Sequence, residues 1–261
     1  MMDFFHYVIS AEQATERRNK IIEHFKQWGI EPNFFQAIMG NKLSEKQLQQ
    51  LTNDEGLLTK GEIGCALSHL GVYRKLLESQ EKCVFIFEDD ARLNQKFFAL
   101  MPAIKNFMEE EQHPAVLILY KVKAHTKQYH PLNETDAILR ATAGSAAHGY
   151  VINRKAAENI LNVQTPLKFE IDAWAIYQKL NLLRIYCTDC ELVYLDEEQA
   201  KKSVIDQIST RKDCSPSFVK KIKDRHVEKI YNGLSRKEKM MVQLKRLQRH
   251  VQELYYDDNE K

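Results

Sequence analysis

The sequence lacks a hydrophobic run long enough to cross a membrane. A spanning helix needs about 18 or more consecutive apolar residues, and the apolar runs here are far shorter. The N-terminus also lacks a basic stretch followed by a long apolar segment, so no signal peptide is predicted. We therefore expect a cytoplasmic protein, which would have to reach any membrane-bound substrate as a peripheral protein on the inner face of the membrane.

The sequence also lacks the cysteine pattern of a disulfide framework. Its five cysteines are irregularly spaced, which argues against a small secreted scaffold. Cys187 and Cys190 have C-x-x-C spacing, but no second such pair accompanies them, so a zinc site would need two further ligands from elsewhere. Two thiols at a strand edge are the favoured interpretation.

Glycine and proline are scarce, at 9 and 6 of 261 residues, so elements should be long and turns few. There is no internal repeat and no low-complexity segment, and hydrophobic residues make up 44%. A chain of this size and composition can bury a sizeable core, which excludes an intrinsically disordered protein.

Charge divides the chain into two parts. Residues 1–200 carry 22 basic and 27 acidic side chains, whereas residues 201–256 carry 15 and 6. We predict a catalytic body over 1–200 and a basic helical segment over 201–261. A basic segment favours an anionic lipid surface or another polyanion, and a solvated helix face is the plainer alternative. No nucleic-acid-binding motif is present, so a nucleic-acid partner is not expected.

Apolar strands alternate with amphipathic helices up to about residue 200, which predicts an α/β fold. Beyond that point only helices are predicted. The last helix carries a short heptad seam that could dock on the protein body, dimerise or lie on a membrane. Its residues are Met240, Leu244, Leu247, Val251 and Leu254. The predicted strands cover 4–9, 33–38, 83–87, 115–120, 148–153, 183–187 and 191–195, and the clearest helices cover 11–28, 155–161 and a stretch beginning at Thr59.

Three carboxylates, Glu88, Asp89 and Asp90, follow the apolar run 83–87 directly. Open α/β sheets bind ligands at the carboxyl ends of their strands. Carboxylates there can hold a divalent cation, which can in turn hold a diphosphate. A solvated acidic turn or a helix cap is the plainer alternative.

A second informative stretch covers residues 58–69. Thr59 and Glu62 have the spacing of a capping box, and Gly61 and Gly64 near the helix start would let an anionic ligand approach the backbone closely. Neighbouring helical residues point about 100° apart, so the next pair along, Ser68-His69, is not a nucleophile with its base.

Two further pairs of residues carry candidate chemistry. Glu170 or Asp172 could act as a general base for an acceptor hydroxyl, and Asp172 could equally cap the following helix. Arg17 and Arg18 follow the first predicted strand and could contact a diphosphate.

Taken in order, these stretches resemble glycosyltransferase family 25, the lipopolysaccharide-biosynthesis group. The match covers roughly residues 5–195. Its most specific parts are the G-E-I-G-C-A-L-S-H segment at 61–69 and the E-D-D triplet at 88–90, and weaker parts are Y-V-I-S at 7–10, E-R-R at 16–18, Q-A-I-M-G at 36–40 and G-Y-V-I at 149–152. Two departures are Ser10, where the family often has Asn, and Trp174, where a second acidic cluster is often found.

The resemblance implies a GT-A-like fold with a mostly parallel central sheet, and inverting transfer of a hexose from a UDP-sugar, most often UDP-galactose, to a lipooligosaccharide. It implies Mn²⁺ or Mg²⁺ as cofactor, held by Glu88 and Asp90, and Asp172 or Glu170 as base. A homodimer and a membrane surface are further candidate partners. The expected donor-binding residues are Ile9, Ser10, Arg17, Arg18, Gly61, Glu62, Gly64, Ser68, His69 and Asp89.

Two other classes stay open at this point. A metal-dependent hydrolase or phosphatase of a sugar phosphate or nucleotide sugar would also use clustered carboxylates and a cation, but the nine histidines are scattered. A non-catalytic adaptor would bind polyanions through residues 201–256.

Overall fold

The computed structural model describes residues 4–52, 57–196 and 215–257. The strands are β1 (His6–Ser10), β2 (Phe34–Gln36), β3 (Cys83–Glu88), β4 (Ala91–Leu93), β5 (Ala115–Ile118), β6 (His125–Pro131), β7 (Ala137–Ala141), β8 (Gly149–Asn153), β9 (Arg184–Thr188) and β10 (Val193–Leu195). The helices are α1 (Thr15–Lys26), α2 (Glu45–Thr52), α3 (Lys60–Glu78), α4 (Gln95–Glu110), α5 (Arg154–Val163), α6 (Trp174–Lys179), α7 (Pro216–Gly233) and α8 (Arg236–Asp257), with a 3₁₀ turn at Gly40–Lys42.

Eight strands form the central sheet, in the order β2-β1-β3-β8-β5-β9-β7-β6. The pairings show that β8 and β7 run against the other six strands, which all point the same way. The predicted α/β class with a mostly parallel central sheet and C-terminal helices is therefore confirmed. Within the described residues, a second sheet pairs β4 with β10.

The central strands are apolar on both faces because helices cover both sides of the sheet. In β3, Val84 and Ile86 face the core cluster that includes α3 and α5. Phe85 and Phe87, which alternate with them, face the cluster that includes α1 and α4. This two-sided burial explains the continuous apolar run that precedes the acidic triplet.

The start of α3 matches its prediction. The Thr59 side chain accepts a hydrogen bond from the Glu62 amide, and the Glu62 carboxylate accepts one from the Thr59 amide at 2.8 Å. This capping box satisfies two of the unpaired amides at the helix start. It therefore sets where the glycine-containing first turn lies.

Some elements depart from prediction. The second strand is shorter than the expected 33–38, because β2 lies at the sheet edge and pairs only with β1. The β6–β7 hairpin was not predicted, because β6, at the other edge, has no alternating apolar pattern. Helix α4 was also missed, and Asn94 caps it rather than a member of the acidic triplet.

The C-terminal helices contact the body through a few residues. Ile222 and His226 of α7 and Val242 of α8 are buried, and the Lys223 Nζ lies 2.8 Å from a Glu170 carboxylate oxygen. The expected boundary near residue 200 lies outside the described residues. None of the described helices combines the length and the apolar character that a membrane crossing requires.

The body covers the apolar seam of α8 in part: Leu244, Leu247 and Val251 line a groove that α8 forms with Gln178 and Tyr186 of the body. Met240, Leu244, Leu247 and Val251 are 45% to 61% exposed. The side chain of Leu254 is outside the described part of the chain. Dimerisation and a membrane surface remain the alternatives for this face.

Candidate functional site

A pocket opens at the sheet edge where β1 and β3 end. Nine residues predicted from the sequence line this pocket. Cys65 and the loop 37–40 line it as well and were not among the predicted site residues. The nine are Ile9, Ser10, Arg17, Gly61, Ser68, His69, Glu88, Asp89 and Asp90. The parallel pairing of β1 with β3 explains the convergence, because it brings the ends of both strands to one edge.

Asp89 of the acidic triplet accepts hydrogen bonds from two side chains. The Ser10 Oγ donates a hydrogen bond to Asp89 Oδ2 at 2.7 Å, and the Arg17 Nη1 donates one to Asp89 Oδ1 at 2.7 Å. The same Arg17 atom lies 3.7 Å from Asp90 Oδ2. Arg17 therefore ties α1 to the end of β3 and offsets part of the charge of the triplet.

Asp90 is the least satisfied member of the triplet. Its Oδ1 is buried and has no hydrogen-bond partner among the described residues. Burial, and then the charge of Glu88, raise the pKa of Asp90 to about 7. A divalent cation bound here would satisfy the orphaned oxygen and favour the ionised carboxylate. The residues therefore fit the expected Mn²⁺ or Mg²⁺.

Glu88 is held by a buried chain of hydrogen-bonding groups. The His69 Nε2 lies 3.3 Å from Glu88 Oε1, the His69 Nδ1 lies 2.8 Å from the Tyr150 hydroxyl, and that hydroxyl lies 2.7 Å from the hydroxyl of Tyr73. Burial alone would raise the pKa of Glu88, but the hydrogen bond and charge of His69 lower it below its ordinary value. Glu88 is thus kept ionised at the pocket wall.

Close packing of two glycines shapes the floor of the pocket. A Cβ on Gly40 would lie 1.7 Å from the Lys60 carbonyl oxygen, and one on Gly64 would lie 2.4 Å from the Ile38 carbonyl oxygen. Only glycine lets the loop 37–40 rest on the first turn of α3. Gly64 therefore serves this contact and does not line the pocket, whereas Gly61 does.

The remaining residues predicted on α3 have structural partners. Ser68 accepts a hydrogen bond from the Ile38 amide at 2.8 Å and donates one to the Gly64 carbonyl at 2.7 Å, so it anchors the loop 37–40. Its neighbour His69 points to Glu88 instead, which agrees with the expectation that the two are not a nucleophile–base pair. Glu62 is used in the capping box and lies outside the pocket lining.

Arg18 does not line the pocket with Arg17. Its guanidinium lies 4.6 Å above the centre of the Phe34 ring, and its Nη2 lies 3.4 Å from the Gln36 Oε1. Consecutive helical residues point in different directions, so only one of the two arginines can face the acidic triplet.

Asp172 and Glu170 also lie outside the pocket lining. Asp172 Oδ2 accepts a hydrogen bond from the Ala146 amide at 2.7 Å, and burial raises the pKa of Asp172. Its side chain does not cap α6, whose N-cap is Ala173. Glu170 forms an ion pair with Lys223 of α7 at 2.8 Å. The raised pKa makes the Asp172 carboxylate a stronger base, which suits a proton acceptor.

A shallow groove beside Asp172 was not predicted. Its wall is formed by the stacked rings of Tyr120 and His148, whose centroids are 4.6 Å apart, and Ala146 lies in the same groove. The Glu88 amide donates to the His148 carbonyl at 3.1 Å, so the groove adjoins the acidic triplet. These residues can be identified only once the strand order β3-β8-β5 is known, because that order places His148 and Tyr120 at the same edge of the sheet.

The family profile and the curated relatives agree on one family. A profile described as Glycosyltransferase family 25 (LPS biosynthesis protein) matches residues 4–175, about two thirds of the chain. The chain is 28% identical over 165 residues to the lipooligosaccharide biosynthesis protein lic2B of Haemophilus influenzae, covering 59% of this chain and 61% of that protein. It is 24% identical over 168 residues to human procollagen galactosyltransferase 2, covering 59% of this chain and 27% of that protein.

A glycosyltransferase 25 family member of Aedes aegypti is 33% identical over 101 residues, covering 35% of this chain and 17% of that protein. The match thus spans only part of each relative's length. Among solved structures, the inositol-1-phosphate CTP transferase of T. maritima superposes with a TM-score of 0.32 at 12% identity, covering 88% of this chain and 78% of that one. The fold assignment therefore rests on the sheet topology and the family match.

Proposed function

Because this chain belongs to glycosyltransferase family 25, we propose that it transfers a hexose from a UDP-sugar to a sugar hydroxyl of a lipooligosaccharide or lipopolysaccharide, with inversion at the anomeric carbon. UDP-galactose is the donor we favour. The names of two relatives, a lipooligosaccharide biosynthesis protein and a procollagen galactosyltransferase, support this choice of acceptor and donor.

One observation carries the proposal: the orphaned, buried Asp90 oxygen shares a pocket with Arg17 and with the first turn of α3. A cation site, a guanidinium and backbone amides at a helix start are three groups that stabilise a diphosphate. Their convergence at the carboxyl edge of the sheet supports a nucleotide-sugar site there.

On the donor side, Asp90 and Glu88 would hold the cation and Arg17 would contact the diphosphate. When bound, Mn²⁺ or Mg²⁺ would stabilise the negative charge of the departing nucleoside diphosphate. The bonds from Ser10 and Arg17 to Asp89 keep the triplet in place. The loop 37–40, packed on α3, would cover the nucleoside.

On the acceptor side, Asp172 would take the proton from the attacking hydroxyl. Its raised pKa makes it a stronger base than an ordinary aspartate. The Tyr120 and His148 rings beside it offer an apolar face on which a sugar ring can stack. Inversion requires one such base and no covalent intermediate.

The first test is donor binding followed by heat denaturation. UDP-galactose, UDP-glucose and UDP-N-acetylglucosamine would each be added with and without Mn²⁺, because selective binding to the folded state raises the melting temperature. We expect the largest rise with UDP-galactose plus Mn²⁺. Asp90→Asn should abolish the metal-dependent part, and the exposed Asp224→Asn on α7 should retain it.

The same assay separates the hydrolase alternative. A transferase needs an acceptor, whereas a hydrolase releases free sugar from the donor with water alone. Rapid release of free hexose in the absence of any acceptor, at a rate no lower than with lipooligosaccharide present, would show that the proposed transfer is wrong.

The exposed face of α8 supports membrane association near the acceptor. Leu244 and Leu247 lie beside Lys245 and Arg249, and α8 helps to line an open groove with Arg140 and Arg184. An amphipathic basic face of this kind binds anionic lipid surfaces. We expect the full chain to sediment with phosphatidylglycerol vesicles, and Leu244→Asn/Leu247→Asn to weaken that binding. A dimer that dissociates in this variant, without vesicle binding by the wild type, would instead favour dimerisation.

A further inference from the structure

Three side chains of different chemistry meet on one wall of the donor pocket. Ligand atoms of Cys65, His69 and Glu88 all lie within 4.8 Å of one another. Cys65 and His69 are one turn apart on α3 and so share a face of that helix, while Glu88 ends β3. All three residues line the pocket, so an ion could reach them from solvent.

The surroundings of His69 match those of a metal-binding histidine. Such a histidine usually makes a hydrogen bond through its second ring nitrogen, which orients the ring. Here the second nitrogen lies 2.8 Å from the Tyr150 hydroxyl, which lies 2.7 Å from the Tyr73 hydroxyl. Both tyrosines are fully buried, so the imidazole is held from behind while its Nε2 faces Glu88.

The separation of His69 and Glu88 also fits a shared cation. Zinc bonds to nitrogen and oxygen are about 2.0 Å long, so neighbouring ligand atoms of a tetrahedral site lie roughly 3.3 Å apart. The His69 Nε2 and Glu88 Oε1 are separated by 3.3 Å. Either a proton or a zinc ion can therefore join these two atoms, and the Cys65 thiol lies within 4.8 Å of both.

The ligand types select a class of metal. A thiolate with an imidazole and one carboxylate suits Zn²⁺, whereas Mn²⁺ and Mg²⁺ prefer oxygen ligands such as those of Asp90. From this geometry we propose that Cys65, His69 and Glu88 bind Zn²⁺ within the donor pocket, with the fourth position open to water. When zinc binds, the thiol proton passes to solvent as the Zn–S bond forms, and the proton between His69 Nε2 and Glu88 is displaced from Nε2, which leaves a neutral imidazole with its proton on Nδ1 toward the Tyr150 hydroxyl.

The proposal has a consequence for regulation, and this part rests on the proposed function. Glu88 would be shared between the zinc site and the cation that accompanies the diphosphate. Zn²⁺ should therefore inhibit donor binding, because Glu88 bound to zinc cannot hold the cation that accompanies the diphosphate. Chelation of zinc should restore it.

A second cluster of similar composition serves as an internal comparison. Asp136, Asp189 and Cys190 also place ligand atoms within 4.8 Å of one another. There, however, the Lys96 Nζ lies 2.7 Å from Asp136 Oδ1 and supplies the positive charge. The pocket cluster contains a histidine that can bind a metal, whereas the second cluster has none and is already paired with a lysine. We therefore assign the zinc site to the pocket and use Cys190 as the control.

The test is direct binding of metal to the full chain after removal of bound metal. Co²⁺ reports a thiolate ligand through a charge-transfer absorption band in the near ultraviolet, and titration with Zn²⁺ displaces it. The wild type should bind one equivalent with this band. Cys65→Ser should lose the band and bind Zn²⁺ at least about tenfold more weakly, whereas Cys190→Ser should resemble the wild type. Circular dichroism confirms that both variants are folded.

Several outcomes would overturn the zinc site: no binding by the wild type, a band that survives in Cys65→Ser, or a band lost in Cys190→Ser. Inhibition is a separate arm. Zn²⁺ should inhibit Mn²⁺-dependent UDP-galactose binding by the wild type, and Cys65→Ser should need at least about tenfold more Zn²⁺ for equal inhibition. Zinc binding without any UDP-sugar binding would leave the zinc site standing and overturn the proposed function instead.

Discussion

The Arg17 guanidinium lies 2.7 Å from the carboxylate of Asp89, and both side chains are largely buried, at 14% and 9% exposed. This pair joins the first helix to the end of a central strand across 72 residues of sequence. Arg17 also lies 3.7 Å from Asp90, so one side chain of α1 contacts two carboxylates at the end of β3. Loss of one partner would leave a buried charge without compensation.

We predict that Arg17→Met destabilises the protein by about 3 kcal/mol, because it leaves the carboxylates of Asp89 and Asp90 uncompensated. Asp89→Asn should also destabilise it, although the asparagine can still accept the Ser10 hydrogen bond. Urea denaturation of both single variants and the double variant measures the coupling. The double variant should lose less than the sum of the two single losses, and strictly additive losses would contradict the pair's importance.

Asp90 gives a pH-dependent prediction for the metal-free protein. Its folded-state pKa of about 7 lies above its ordinary value, so between about pH 4 and pH 7 the folded state binds more protons than the unfolded state. The contribution of Asp90 to the free energy of unfolding therefore falls as the pH rises through this window and stays low above it. Asp90→Asn should be more stable than the wild type by on the order of 2 kcal/mol at pH 8, and by less at pH 5.

Thermal denaturation in the presence of a chelator measures this difference, and Asp136→Asn provides a control of opposite sign. Hydrogen bonds from Lys96 and Asn133 lower the pKa of Asp136 to about 2. Its carboxylate therefore stabilises the folded state above its ordinary pKa, and this contribution is lost as the pH falls toward 2. Asp136→Asn should thus lower the melting temperature at pH 8. A lower melting temperature for Asp90→Asn at that pH would contradict the inferred cost of burying the ionised Asp90 carboxylate.

Much of the pocket at the ends of β1 and β3 can be predicted from the sequence, because its signals are local. An apolar run that ends in Glu88 predicts a buried strand with carboxylates at its end, and Thr59 with Glu62 predicts the helix start beside it. The strand-end rule then brings these segments together without knowledge of the strand order.

The contacts of the individual carboxylates in the pocket could not be predicted in the same way. Which carboxylate pairs with Arg17 and which retains an orphaned oxygen depends on side-chain directions set by tertiary packing. The groove formed by Tyr120 and His148 depends on β8 lying between β3 and β5, which no local pattern encodes. The contact between His148 and Tyr120 can therefore be recognised only from the fold.

The roles of Asp172 and Glu170 can be separated by kinetics. We predict that Asp172→Asn lowers kcat by about 100-fold or more, because it removes the proton acceptor, while the dissociation constant for UDP-galactose changes little. Glu170→Gln should weaken the ion pair with Lys223 and lower stability, but leave kcat within a few-fold of the wild type. Steady-state rates and donor titrations measure both. A larger loss of kcat in Glu170→Gln than in Asp172→Asn would reverse the assignment.

Gly40 provides a prediction that links packing to binding. An alanine there places its Cβ 1.7 Å from the Lys60 carbonyl oxygen, so the loop 37–40 must move away from α3. We expect Gly40→Ala to cost about 2 to 3 kcal/mol of stability and to weaken donor binding, because that loop lines the pocket. In the control, Gly233→Ala, the added Cβ meets nothing within 4 Å, and stability should stay within about 0.5 kcal/mol. Denaturant melts and donor titrations compare the two variants, and wild-type stability and affinity in Gly40→Ala would show that the loop does not need this contact.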